Sequence, residues 1–197
     1  MYIEIEDEFI ARVPPDKLGL DYDNALLGVA KTSLEGILRD AEVASYGVSK
    51  RCFVISVSSI EKIGEGTIVH GDGAVYQTLR FRAIGYMPEM QEIVEGYVTS
   101  VQKFGAFVRF GPFEGLLHIS QIMDDRIDID LANQRFIGKD TKRDLKVGDR
   151  VRVKIVALSL PSSFIGDSKV GLTMKQLGLG KLDWLRKRKE NRVENEA

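Results

Sequence analysis

The chain of 197 residues holds one cysteine, Cys52, and two histidines, His70 and His118. A single cysteine excludes an intramolecular disulfide and points to a reducing, cytoplasmic setting. So few thiols and imidazoles leave no ligand set for a structural zinc site, and no metal or other cofactor is expected. No apolar run approaches the roughly 18 residues that a membrane-spanning helix requires, so a membrane is not expected among the partners. The opening MYIEIEDEFIARV alternates acidic and apolar residues and reads as a strand rather than a signal peptide. Neither G-x-G-x-x-G nor G-x4-G-K-[ST] occurs, which argues against a nucleotide-phosphate cradle. Asp124, Asp125, Asp128 and Asp130 make an acidic run without the spacing of a calcium loop. No constellation for catalysis is present.

Net charge is nearly absent too, at −1, but it is unevenly spread. Residues 1–88 carry 9 Lys/Arg against 13 Asp/Glu, whereas residues 89–197 carry 19 against 16. That asymmetry suggests two domains with different partners.

The first segment, residues 1–88, reads as α+β. Pro14-Pro15 stops the opening strand, because proline supplies no ladder donor. Leu26, Val29, Ala30, Leu34, Ile37 and Ala41 then recur at intervals of three and four, predicting a helix with Asp23 as N-cap. Gly28 and Gly36 would weaken it and suggest that something packs closely against them. Two extended segments follow, Cys52–Gly64 and Ala74–Tyr86. In the second, Val75, Gln77, Leu79, Phe81 and Ala83 share the buried parity. Between them lies GEGTIVHGDGA, whose Gly64, Gly66, Gly71 and Gly73 permit close backbone approach around Asp72.

Beyond Pro88 the pattern is all-β, with glycine turns, and suggests a small closed barrel over residues 89–180. A charged, weakly periodic insertion occupies 123–146, and 181–197 reads as a short helix fading into a charged tail. Within KFGAFVRF (Lys103–Phe110), Phe104, Ala106, Val108 and Phe110 share one parity, while Lys103, Gly105, Phe107 and Arg109 share the other. An aromatic between two cations suits single-stranded nucleic acid: the ring stacks on a base and the cations hold phosphates. Parity places Phe104 in the core, whereas a bulge at Gly105 would turn it outward. Lys154 on the later VKI strand, and Lys142 and Arg143 in the insertion, could extend the cationic track.

The ordered segments F-G-A-F-V-x-F-G-x3-G-L-L-H-I-S, V-G-D-x-V-x-V-K-I and G-L-T resemble the RNA-binding barrel named after ribosomal protein S1, an OB fold. That resemblance implies an RNA face built from Phe104, Phe107 and His118, with Lys169 at the basic position. The acidic position falls on Ser159, a departure that removes one polar anchor. It also implies that Phe104 faces outward.

A further set of segments includes some outside the common barrel. The set is Pro14-Pro15, G-E-G-x4-G-D-G-A-x-Y, P-E-x-Q-E-x-V-E-G, H-I-S-Q-I-M-D-D, G-K-D-T-K-R-x-L-K-x-G-D and L-T-M-K-Q-x-G-L-G-K-L-x-W. Together they resemble the E-prime family of archaeal RNA polymerase subunits, whose eukaryotic counterpart is the seventh subunit of RNA polymerase II. The resemblance implies a ribonucleoprotein-like first domain and an S1-type second one. It implies a non-catalytic stalk subunit that pairs with the polymerase's smaller F subunit, docks on the polymerase core and binds emerging single-stranded RNA. Docking would use Pro14, Pro15 and Gly19 together with Gly64, Gly66, Gly71, Asp72 and Gly73. The alternative is a free-standing S1-domain factor of translation or RNA decay. An exosome-cap protein of that kind would carry a KH module after the barrel, for which little chain remains.

Overall fold

The computed structural model describes residues 1–18, 21–43, 48–161 and 165–186. The chain forms two compact units, Met1–Met87 and Pro88–Leu160, the second joined by residues from Gly166 onward.

In the first unit β1 (Tyr2–Val13) is followed by α1 (Tyr22–Leu34), β2 (Leu38–Val43), β3 (Val48–Ile68) and β4 (Val75–Tyr86). β1 and β4 pair antiparallel along their whole length, from Tyr2↔Tyr86 to Val13↔Val75. β3 joins β4 on one side and β2 on the other, and β2 returns to β1 at Ile5↔Val43, closing the sheet. The alternation of β1 turns Ile5, Ala11 and Val13 inward. They meet Leu79, Phe81 and Ala83 of β4 and the buried stripe Leu26, Val29, Ala30 and Leu34 of α1. This is the expected helix on an antiparallel sheet.

The helix is shorter than its periodicity predicts. Asp21, not Asp23, caps it, accepting from the backbone N–H of Asn24 at 3.1 Å. It ends at Leu34 because Gly36, at φ +83°, turns the chain, and its N–H donates to the Val54 carbonyl at 2.9 Å. Ile37 and Ala41, which fit the helical period, therefore fall in a loop and in β2. Nothing lies within 4 Å of a side chain built at Gly28 or Gly36, so no close packing explains those glycines. Cys52 is fully buried, and burial pushes its thiol up to about 11, leaving it protonated and inert.

The second unit begins with β5 (Ile93–Gln102), β6 (Gly105–Phe110) and β7 (Phe113–His118). Lys103 and Phe104 form the turn between β5 and β6. Then come β8 (Ile127–Asp130), β9 (Arg135–Gly138) and β10 (Asp144–Lys146), followed by β11 (Arg150–Ser159), β12 (Lys169–Thr173) and β13 (Gly180–Lys181). Strands run in the order β12-β7-β6-β5-β11, and β11 pairs with β12 to close a five-stranded barrel. Ala106, Val108, Phe110, Phe113, Leu117, Val151, Val153, Ile155 and Leu172 fill it.

The weak periodicity of the insertion conceals short strands. β8, β9 and β10 make a three-stranded antiparallel sheet with Phe136 and Leu145 fully buried. Two of its acids serve its turns. Asp125 accepts from the N–H groups of Asp140 and Thr141 and from the Thr141 hydroxyl, which hold its carboxyl well below the usual range. Asp130 accepts from Asn133 and Arg135.

Candidate nucleic-acid interface

The β5–β6 turn owes its shape to Gly105. A Cβ there would stand 2.3 Å from the Leu117 carbonyl oxygen and 2.9 Å from His118 Cα, so only glycine lets β6 pass β7 this closely. Strand alternation starts at Gly105, and Phe104, one residue before it, lies in the turn and is 48% exposed. Parity across the whole octapeptide therefore misplaces Phe104. Ala106, Val108 and Phe110 are inside, and Phe107 and Arg109 face out. The Phe104 and Phe107 rings meet edge to face, with centroids 6.2 Å apart.

His118 ends β7 directly opposite Gly105, and the Ile119 N–H donates to the Phe104 carbonyl at 2.9 Å, pinning the aromatic turn to the H-I-S turn. His118 Nδ1 accepts from the Ser120 N–H at 3.2 Å and lies 2.8 Å from Ser120 Oγ. An accepting Nδ1 places the proton of the neutral ring on Nε2, leaving a donor available to a ligand.

The cations are less tightly gathered. Lys103 is exposed in the same turn, and Arg109 is exposed on β6, 3.9 Å from Glu114. Lys154 projects outward from β11, its Nζ 3.4 Å from Gln176 Oε1. Lys169 pairs across the ladder with Ser159, so the expected basic and acidic positions are neighbours. Parallel pairing of β12 with β7 aligns Gly171 with Leu116, which sets Lys169 roughly 13 Å along the strand from His118. Lys142 and Arg143 lie in the connection between β9 and β10, where the Arg143 guanidinium lies 5.7 Å from the Trp184 ring centroid.

At the other expected site, Pro15 opens a short 3-10 turn after Pro14, and its Cγ lies 3.6 Å from where a Gly73 Cβ would be. Pro15 and Gly73 are therefore brought together. Arg12 donates to both carboxylate oxygens of Asp72, and the Tyr76 hydroxyl donates to the same carboxylate at 2.7 Å. Gly64 (φ +66°) and Gly71 (φ +89°) need left-handed backbone. Gly66 has no room for a side chain, since Val75 Cγ1 would be 2.6 Å away. Gly19 lies outside the described residues.

Two features here go beyond what the sequence pattern implies. Gln77 is 3% exposed and donates to the carbonyls of Ile63, Gly64 and Thr78, clamping the register shift that the glycines make in β3. A polar residue on the buried parity of β4 was the available signal. Ile68 and Val69, 67% and 47% exposed, crown the hairpin and are apolar residues among turn glycines. Among the described residues no group of His, Cys, Asp and Glu could hold a metal ion, and no helix is long and apolar enough to cross a membrane.

Residues 87–160 match the family model of the S1 RNA binding domain. The chain is 35% identical over 192 residues to the DNA-directed RNA polymerase subunit Rpo7 of Saccharolobus shibatae, covering 96% of this chain and 100% of that one. It is 33% identical over 186 residues to the subunit of the same name in Sulfolobus acidocaldarius, covering 94% and 95%. Among solved structures, Mycoplasma genitalium RNase R in complex with ribose-methylated single-stranded RNA is 27% identical over 43% of this chain and 13% of that one. The TM-score is 0.37.

Proposed function

Because the chain belongs to the Rpo7 family of DNA-directed RNA polymerase subunits and carries an S1 RNA-binding domain, we propose that it is a non-catalytic stalk subunit that binds the emerging transcript. The nucleotidyl-transfer chemistry belongs to other subunits of the complex. RNA lies on the β5–β6 turn: bases stack on Phe104 and Phe107, the His118 Nε2–H donates to them, and Lys103 and Arg109 meet phosphates. The observation that carries this part is the edge-to-face pair of exposed Phe104 and half-buried, outward-facing Phe107, pinned beside His118. Two rings that cost apolar exposure without filling the core are what sequence-tolerant binding of single strands requires.

In the same reading the β3–β4 hairpin tip docks on the polymerase core. Pro14, Pro15, Gly71 and Gly73 shape it, the Arg12–Asp72–Tyr76 network stiffens it, and Ile68 and Val69 supply apolar surface. The chain pairs with a smaller polymerase component, the F subunit. The test is a pull-down of the tagged chain from its native cells. The expected result is recovery of the large polymerase subunits with one small partner; a tagged chain that returns alone, or with ribosomal or RNA-decay proteins, sinks the reading.

A further inference from the structure

One exposed aromatic on the barrel belongs neither to the ring pair nor to the core. Tyr97, in the middle of β5, is 53% exposed. Arg150 of β11 stands directly opposite it on one side and Arg109 of β6 on the other. Directly opposed residues project from the same sheet face, so the tyrosine stands between two arginines in a row across three strands. The Arg150 guanidinium lies 5.6 Å from the Tyr97 ring centroid, within cation–π reach.

The acids beside this row have closer partners than its arginines. Glu95 accepts from Arg152 at 2.8 and 3.0 Å and is 3.5 Å from Arg150. Glu114 accepts from the Thr99 hydroxyl at 2.7 Å and is 3.9 Å from Arg109. Long, exposed ion pairs contribute little, so both guanidinium groups are free to turn to another anion.

The row is continuous with the ring pair. Arg109 follows Phe107 by two residues on β6 and shares its face. On β5 the register shifts between Val98 and Ser100, so that Ser100 stands opposite Phe107 and Tyr97 takes the next outward position towards Arg109. Tyr97, Arg109 and Arg150 all fall within the segment that matches the S1 model. A protein partner could also use tyrosine and arginine. The run of rings interspersed with cations, Lys103–Phe104–Phe107–Arg109–Tyr97–Arg150, favours a polyanion that carries bases.

We infer that Tyr97, flanked by Arg109 and Arg150, is a further base-stacking position, and that single-stranded RNA bound at Phe104 and Phe107 continues across β6, β5 and β11. This inference rests on the reading of Phe104 and Phe107 as an RNA face.

The test is fluorescence anisotropy of the full chain with labelled oligouridylates of increasing length. Fluorescence of Trp184 reports folding, since this single tryptophan lies in the barrel unit. Tyr97→Ala is expected to weaken the longer oligonucleotides about 5- to 150-fold, the range for one lost stacking contact, while sparing the shortest. Tyr97→Phe should bind like wild type. Arg150→Gln should reduce the slope of log K against log salt by about 1. If Phe107→Ala weakens binding and Tyr97→Ala does not at any length, the inference fails and the reading of the ring pair stands. Loss of polymerase subunits in a pull-down with Tyr97→Ala, RNA affinity unchanged, would make this face a protein contact and likewise overturn it. A wild-type chain that binds no oligouridylate removes both.

Discussion

Phe104 and His118 are joined through backbone: the Phe104 carbonyl accepts the N–H of Ile119, next to His118, while Gly105 stands opposite His118 in the ladder. One turn and one strand end thus form a single unit, and the aromatic pair inherits its position from the closeness of β6 and β7.

That closeness predicts the cost of Gly105→Ala. The new methyl would meet the Leu117 carbonyl oxygen at 2.3 Å, a backbone atom that cannot swing aside. A loss of about 2 kcal/mol or more is expected for the barrel, read by urea unfolding through Trp184 fluorescence. An unchanged midpoint would mean that the two strands do not approach as described.

Gln77 offers the equivalent test in the first unit. Gln77→Leu leaves the carbonyls of Ile63, Gly64 and Thr78 without their shared donor. Destabilisation of about 1–3 kcal/mol is expected, with faster hydrogen exchange concentrated in β3 and β4. Exchange rates in the hairpin equal to wild type would contradict the clamp.

Asp72 gives the hairpin tip a pH signature. Its carboxyl is held at about 2, below the ordinary 3.8, first by the Arg12 hydrogen bond and then by the Tyr76 hydroxyl. Folding favours the charged form, so this contribution is complete above pH 3.8 and disappears as pH falls through about 2. A carbon-13 titration should place the Asp72 midpoint near 2, rising partway with Tyr76→Phe and towards 3.8 with Arg12→Ala. A wild-type midpoint near 3.8 would show that the network does not form in solution.

The apolar crown of the same tip bears on docking. Ile68→Asp with Val69→Asp changes two residues that fill no core and should leave the unit folded. Recovery of the large polymerase subunits is expected to fall at least about tenfold, the effect of losing one interface hot spot. Full recovery would move the docking site away from this hairpin.

The sequence made the barrel legible because its strands are long enough for alternation to show, as in β11, where Val151, Val153 and Ile155 alternate with Arg150, Arg152 and Lys154. The insertion sheet was not legible: β8, β9 and β10 have only three or four residues each, too few to establish a period. The helix was overextended because Ile37 and Ala41 fit its spacing by coincidence, and the left-handed turn at Gly36 carries no periodic signal. Phe104 was ambiguous because period 2 applies only inside a strand, and the strand begins at Gly105. Tyr97 could have been found, since it shares parity with Glu95, but its meaning comes from Arg150, 53 residues away along the chain, which only the β5–β11 pairing brings opposite it.

The most direct measurement is the affinity of the full chain carrying Phe104→Ala and Phe107→Ala for a labelled single-stranded RNA, beside wild type, with Trp184 fluorescence confirming the fold. Losing both rings should weaken binding by at least about tenfold, since each stacked base contributes about 1–3 kcal/mol. Equal affinity of the two proteins would show that RNA does not use this turn, and the proposed interface would have to be abandoned.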